Sequence, residues 1–218
     1  MDSATSLAIA KEQGYDVLAL TFAYGQKHKK ELECARNIAR LFGVREHLVI
    51  TLMLGEHLRS SLTRSSMDVP EGRSREEMAA EISNTYVPAR NIIFLSIAAS
   101  IAESRGAEAV FIAANSVDFS GYPDCTPEFM SSFQKMLDVG TKAGKEGKGI
   151  RIEAPLLTKS KADIVREAMR LKVPLEMTWS CYKGGSRPCG RCDSCLLRLE
   201  GFQKAGVKDP LEYDEVGQ

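Results

Sequence analysis

Asp16-Val-Leu-Ala-Leu-Thr-Phe22 is followed, after the polar Tyr24-Gly-Gln-Lys-His28, by Lys29-Lys-Glu-Leu-Glu-Cys-Ala-Arg-Asn-Ile-Ala-Arg-Leu-Phe42, and this change of period decides the fold class. The first run is short, apolar and rich in strand formers, as a strand buried on both faces is. The second places Leu32, Ala35, Ile38, Ala39 and Phe42 at helical spacing, with Gly43 as its stop. The same alternation extends outward. Residues 47–50, 109–113 and 150–154 read as further strands. Residues 92–104, 127–141 and 160–171 read as helices, the last behind a Ser160 cap with Asp163 at its third position. A helix also opens the chain, with Asp2 or Ser3 as its cap, and runs to about Gln13 before Gly14. The stretch 60–84 reads as a long mobile loop with some helical turns, and 142–149 as a flexible Gly/Lys turn. Strand–helix alternation of this kind predicts an α/β fold, a parallel sheet with helices on both faces.

In such a sheet ligands bind beyond the carboxyl ends of the strands. Polar clusters lie at those places: 24–28 after the first strand, 115–124 after the third and 155–161 after the fourth.

Cys181-Tyr-Lys-Gly-Gly-Ser-Arg-Pro-Cys189-Gly-Arg-Cys192-Asp-Ser-Cys195 holds four thiols in fifteen residues. The two-residue gaps let one tight turn aim Cys189, Cys192 and Cys195 at a point. Gly184, Gly185 and Pro188 let the chain fold back so that Cys181 closes a tetrahedron. Four thiolates suit a closed structural zinc site. An iron–sulfur cluster also takes four cysteines, but its common runs place the fourth differently. Two disulfides need an oxidising compartment. A zinc deaminase needs His-x-Glu or an equivalent ligand followed by a catalytic Glu, and the residues two places after His28, His47 and His57 are Lys30, Val49 and Arg59. These cysteines divide the chain into an α/β portion, 1–178, expected to be the nucleotide-binding domain, and a C-terminal zinc-binding segment, 179–218.

With 218 residues and 44% hydrophobic content, the chain is long enough for one domain and a small appendage. Lys+Arg 29 against Asp+Glu 29 gives a formal net charge of zero, whereas a protein whose main partner is a nucleic acid usually carries a basic excess. No stretch approaches the roughly 18 apolar residues of a membrane span, and the N-terminus lacks the basic-then-apolar layout of a signal peptide. A reducing cytoplasm is the compartment expected for clustered cysteines holding a metal.

Several segments together resemble the 7-cyano-7-deazaguanine synthases, members of the PP-loop ATP pyrophosphatases. They are Asp2-Ser-Ala-Thr-Ser6, Phe22-Ala-Tyr24-Gly25-Gln26, Val87-Pro-Ala-Arg90-Asn91, Asp118-Phe-Ser-Gly-Tyr-Pro-Asp124-Cys125, Ser160-Lys161 and the cysteine cluster, in the family's order over nearly the whole chain. The resemblance implies a Rossmann-like sheet of the adenine nucleotide alpha-hydrolase type. It also implies a reaction: ATP and Mg²⁺ activate the carboxylate of 7-carboxy-7-deazaguanine as an acyl-adenylate, ammonia forms an amide, and a second activation gives the nitrile, a step toward queuosine. By the same resemblance Asp2 and Ser3 end the phosphate loop, Lys161 meets the leaving pyrophosphate, and Arg90 acts beside them. Tyr24, Gln26 and Asn91 would border the nucleotide, while Tyr122, Asp124 and Asp118 would hold the deazapurine. A homodimer with no nucleic-acid or membrane partner is implied too. Cys125 lies outside the metal set and reads as a small buried residue rather than a reactive thiol.

The chain departs from the family pattern at its start, where an apolar strand and the Ser-Gly-Gly of the phosphate loop are expected before Asp2. Met1 then reads as an internal methionine of a longer protein, the alternative being a protein that has lost ATP chemistry. Thr126 stands where a basic residue is expected. A PP-loop tRNA thiolase and a non-catalytic zinc module remain as competing readings.

Overall fold

A computed structural model describes residues 1–55, 57–116 and 121–214. Helix α1 (Asp2–Glu12) precedes strand β1 (Leu18–Ala23), which the apolar run forms as its composition requires. Helix α2 (Lys30–Leu41) crosses over to β2 (Glu46–Thr51), which lies parallel to β1 in the register Leu18↔Glu46 to Ala23↔Thr51. Helices α3 (Arg75–Ala80) and α4 (Arg90–Arg105) lead to β3 (Ala109–Phe111). Helices α5 (Pro127–Gly140) and α6 (Lys142–Lys145) fill the crossover to β4 (Arg151–Glu153), parallel to β3 with Val110 opposite Ile152. Helices α7 (Lys161–Arg170) and α8 (Asp193–Ala205) complete the described elements.

The α/β architecture and the parallel pairing follow the sequence pattern. The sheet itself is interrupted: among the described residues no hydrogen bond joins the β1–β2 pair to the β3–β4 pair. Residues 18–22 of β1 and 109–111 of β3 instead line one cavity of about 680 Å³. Each pair therefore presents unladdered backbone groups and apolar side chains toward the middle of the molecule.

Three apolar clusters hold the layers. One joins α1, α7 and α8 through Ala8, Ile9, Ile164, Val165 and Phe202. Another packs α4 and α5 against the strand pair 109–111/151–153 through Leu95, Ala99, Phe133 and Leu137. The third surrounds the cysteines with Tyr24, Leu62, Val87 and Trp179.

Two sequence expectations need correction. The 60–84 stretch is a fastened strap rather than a mobile loop. Ser60, Ser61 and Leu62 are fully buried, Leu62 O accepts from Lys27 N at 2.9 Å, and Glu71 bridges Cys192. Its helix α3 starts with a capping box, Ser74 with Glu77. The strap's charges find partners only in the folded chain, so composition alone reads them as solvated. Residues 142–149 likewise contain a helical turn, α6, whose start is capped by Thr141 Oγ1 accepting from Gly144 N at 3.0 Å.

Candidate active site and metal centre

The four cysteines converge as their spacing requires. Their Sγ atoms all lie within 4.8 Å of one another, and Cys189 and Cys195 are 4.0 Å apart. Thiolates about 2.3 Å from a tetrahedral zinc ion would stand about 3.8 Å from one another, so the cluster fits such an ion. All four are buried. Cys181 Sγ accepts backbone N–H bonds from Lys183 and Cys189, each at 3.4 Å, and Cys189 Sγ accepts from Arg191 at 3.5 Å and Cys192 at 3.3 Å. Such bonds favour thiolate sulfur. Crowding opposes ionisation of all four at once. Cys192 and Cys195 donate to Cys181 and hold its thiol far below the usual range, while Cys192 is pushed up to about 12 by the same contact. A bound cation removes that conflict, because each coordinating thiol gives up its proton to it.

The metal centre is fastened from outside. Trp179 Nε1 donates to Cys181 O at 2.9 Å. Asp193, beside Cys192 and 1% exposed, receives both Nε (3.2 Å) and Nη2 of Arg73 from the strap.

The second site is the cavity between the strand pairs. Of the residues singled out from the sequence, Asp2, Ser3, Tyr24, Gln26, Arg90, Asn91, Tyr122 and Lys161 line it. Asp2 and Ser3 occupy the first turn of α1, where helix N–H groups lack intrahelical acceptors and favour anions. Lys161 opens α7 behind the predicted capping box of Ser160 and Asp163, and its Nζ forms an ion pair with the Asp2 carboxylate. Burial acts to raise the Asp2 pKa, but the Lys161 ammonium outweighs it and holds the carboxyl below the usual carboxylate range. Lys161 reaches this place because Gly201 of α8 lies under it: a methyl there would stand 2.8 Å from Lys161 Cβ.

Arg90 starts α4 directly after Ala89, whose φ of 55° is left-handed and rare for a residue with a Cβ. Burial disfavours the Arg90 charge, yet Tyr24, through charge and a hydrogen bond, and the nearby Tyr182 and Tyr122 raise its pKa further. Tyr122, 9% exposed, meets Thr85 Oγ1 at 2.7 Å through its hydroxyl and leans on Tyr86 at 5.5 Å between ring centroids. Gln26 serves the turn after β1: its Oε1 accepts from Tyr24 N at 2.8 Å and its Nε2 donates to Phe22 O at 3.0 Å.

Asp124 is engaged within the protein. It is 4% exposed and does not line the cavity. Its Oδ2 accepts from Asn91 N at 2.9 Å, and Asn91 Nδ2 donates to Asp124 O at 3.1 Å. The carboxylate thus stabilises the start of α4 by accepting the N–H of Asn91. Asp118 falls outside the described residues. Cys125 is a buried thiol, pushed up to about 11 by burial first and then by Asp124, with Asn91 Nδ2 3.1 Å from its sulfur. Its burial is what the sequence reading expected. Thr126 caps α5, its Oγ1 accepting from Phe129 N at 3.1 Å.

The sequence reading placed His28 in the polar cluster 24–28 without a role and passed over Glu31, Tyr182 and Arg198; all four also line the cavity. Arg198 is 2% exposed and fully engaged: with Asp209 (2.7 and 2.9 Å), with Thr178 Oγ1 (2.6 Å) and with Leu175 O (3.0 Å). The one local signal was an arginine among apolar residues of α8. Its partners lie up to 23 positions away.

Residues 1–206 match a family described as "Queuosine biosynthesis protein QueC". The chain is 50% identical over 218 residues to "7-cyano-7-deazaguanine synthase 2" of Desulfitobacterium hafniense (strain Y51), covering 100% of this chain and 91% of that one. It is 52% identical over 215 residues to "7-cyano-7-deazaguanine synthase" of Pseudomonas fluorescens (strain SBW25), covering 98% and 94%. The protein of that name from Thermoplasma acidophilum is 49% identical over 215 residues, covering 99% and 89%. Among solved structures, the U34-tRNA thiolase NcsA from Methanococcus maripaludis with its [4Fe-4S] cluster aligns at a TM-score of 0.34 and 12% identity, over 79% of this chain and 64% of that one, a likeness too slight to carry an argument. No helix among the described residues is long and apolar enough to cross a membrane.

Proposed function

The chain belongs to the queuosine biosynthesis protein QueC family, and from that premise we propose that it is an ATP-dependent ligase that turns 7-carboxy-7-deazaguanine and ammonia into 7-cyano-7-deazaguanine. The observation that carries this reading is the whole-chain identity of about half with synthases of that name, in a protein whose acidic, basic and aromatic candidates line one cavity.

The chemistry asks for two ends in one cleft. A carboxylate is a poor electrophile until its oxygen is joined to AMP, and that transfer needs the pyrophosphate neutralised as it leaves. Lys161 and the first turn of α1 are suited to that charge, with Ser3 as a further donor. Asp2 holds Lys161 until the phosphates arrive and is the residue that would carry Mg²⁺, which supplies charge neutralisation on the phosphate oxygens when bound. Arg90, held by Tyr24 near Tyr122, would face the nucleotide or the activated acyl group. Tyr122 offers a ring on which the deazapurine can stack, with Gln26 and Asn91 shaping the same wall. Asp124 would act on the substrate only indirectly, through the start of α4. Asp118 keeps its proposed role at the deazapurine.

The four cysteines would hold one structural zinc, joining the loop 181–192 to α8. The working form would be a cytoplasmic homodimer with small-molecule substrates and no nucleic-acid partner, in keeping with the zero net charge.

Incubation of the purified protein with 7-carboxy-7-deazaguanine, ATP, Mg²⁺ and ammonium, followed by mass spectrometry, tests the reading. Nitrile, AMP and pyrophosphate are the expected products. A protein with zinc bound and fold intact that forms no adenylate of this substrate is not the synthase, and sulfur transfer to tRNA would then be the activity to assay.

A further inference from the structure

His28 and Glu31 line the same cavity as Lys161, Arg90 and Tyr122. His28 is 6% exposed, and its Nε2 stands 2.9 Å from Glu31 Oε2. Its Nδ1 is buried and has no hydrogen-bond partner among the described residues. Nε2 is therefore the nitrogen directed at the Glu31 carboxylate, and it donates to it.

The backbone that carries the ring is held from two sides. Lys27, its neighbour, donates its backbone N–H to Leu62 O at 2.9 Å and its ammonium to Met67 O at 2.7 Å. The cysteine-bearing loop presses from the other side: a methyl on Gly184, itself at φ +70°, would stand 2.9 Å from His28 Cα. A side chain fixed this firmly, with one nitrogen directed at a carboxylate, orients that carboxylate.

Glu31 is different in kind, because 49% of its side chain is open to solvent. Burial acts to raise its pKa, but the hydrogen bond from His28, the electrostatic attraction of His28 and then the Arg90 charge outweigh it and hold the carboxyl below its ordinary value. Glu31 thus lies within electrostatic reach of Arg90.

The proposed reaction needs a group of this kind. Between ammonia and a nitrile, nitrogen loses three protons. In the first round the nitrogen lone pair forms the C–N bond, the C–O bond to AMP breaks with its electrons leaving on AMP, and one N–H proton departs. In the second, the amide oxygen is joined to AMP from another ATP. The C–O bond then breaks again while the two remaining N–H protons leave and C≡N forms.

Resting on the synthase reading above, we propose that Glu31 takes these protons from the nitrogen and passes them to solvent through its open side, and that His28 is the positioning residue that aims it. General-base assistance of this sort is worth about 10²- to 10⁴-fold. Glu31→Gln keeps the shape and removes the base. The test measures two steps in the same preparations: pyrophosphate exchange dependent on 7-carboxy-7-deazaguanine, which reads adenylation, and amide plus nitrile formation at saturating ammonium.

Glu31→Gln is expected to keep exchange within about threefold while amide formation falls about a hundredfold. Hydroxylamine, whose adduct nitrogen is more acidic, should recover part of the loss. His28→Gln, whose amide nitrogen can replace Nε2 as donor, should retain most of the rate that His28→Leu loses, with equal zinc content in both. Equal losses in exchange and amide formation, with a raised Mg²⁺ requirement, would make Glu31 a metal ligand and overturn the proposal. An unchanged amide rate in Glu31→Gln would overturn it too. Absence of substrate-dependent exchange in the unmutated protein would sink the synthase reading itself, and this inference with it.

Discussion

Lys161, the first residue of α7, forms an ion pair with Asp2, the first residue of α1, across 159 positions of sequence. The pair brings two helix starts to one wall of the cleft, and removing one partner has a predictable sign. In Lys161→Met the Asp2 carboxylate keeps its burial and loses its cation, so its pKa should rise above the ordinary carboxylate value instead of lying below it. In the intact protein the depressed pKa contributes stability above the unfolded value, about 3.9, and that stability is lost as pH falls through the folded one. The variant reverses this, because its carboxylate becomes easier to bury once protonated. The difference in melting temperature between the two proteins should be largest near pH 7 and shrink toward pH 3. A difference that does not change with pH would show that the pair contributes no net charge stabilisation. Adenylation should fall about 10²- to 10³-fold, as when a donor to a developing anion is removed.

Gly201 supplies the room for that lysine. A methyl at position 201 would lie 2.8 Å from Lys161 Cβ and 3.2 Å from its carbonyl carbon and oxygen. The carbonyl belongs to the backbone, so the start of α7 must move. Gly201→Ala gains about 1 kcal/mol of helix propensity and meets an overpacking penalty of about 1–3 kcal/mol. The net result should be equal or lower stability with a larger loss in substrate-dependent pyrophosphate exchange. Urea unfolding together with exchange kinetics checks it. A stabilised variant with full exchange would show that α7 yields freely here.

How much of this was legible beforehand depended on the range of each signal. The capping box at Ser160, the stop at Gly43 and the apolar run of β1 are local, and each appears where the pattern put it. The cysteine spacing was equally direct, since three sulfurs two residues apart have little choice of geometry. The grip of the strap on the metal centre was not legible, because Glu71 meets Lys183 and Arg191 more than a hundred positions away. Arg73 meets Asp193 by the same route. Asp124 carries a contact that was not legible either: a carboxylate in a polar loop gives no sign that the fold brings the N–H of Asn91, thirty-three positions away, to it. His28 and Glu31 are three apart on one turn, but only burial of the ring distinguishes that pair from a solvated one.

Arg198 and Asp209 form a doubly hydrogen-bonded ion pair, 2% and 3% exposed at their side chains. Tyr213 donates to the same carboxylate at 2.6 Å. Asp209→Ala leaves the guanidinium buried with its two neutral acceptors, and breaking a buried pair in this way costs about 3–5 kcal/mol. Replacing Arg198 and Asp209 together by Met and Leu should restore part of the loss, because no charge is then left unpaired. A double-mutant cycle in urea measures both. Strictly additive losses would show that the two residues do not act as a pair.

The metal centre gives the largest expected effect. Cys181→Ser replaces the thiolate that accepts two backbone N–H bonds by a hydroxyl that binds zinc poorly. Zinc content measured by mass spectrometry should fall from one per chain toward zero. The loop 181–192 should then loosen together with the strap, since Glu71 bridges Cys192 and Arg73 holds Asp193. Hydrogen exchange should therefore quicken in 60–84 as well as in the loop, while β1 and β2, paired through residues 18–23 and 46–51, change little. Because Gly184 presses on His28, the catalytic loss should appear in amide formation before it appears in adenylation. Removal of zinc from the unmutated protein by a chelator should reproduce both patterns, and re-addition should reverse them. If the metal-free protein keeps its exchange protection in 60–84, the cysteines do not organise the strap.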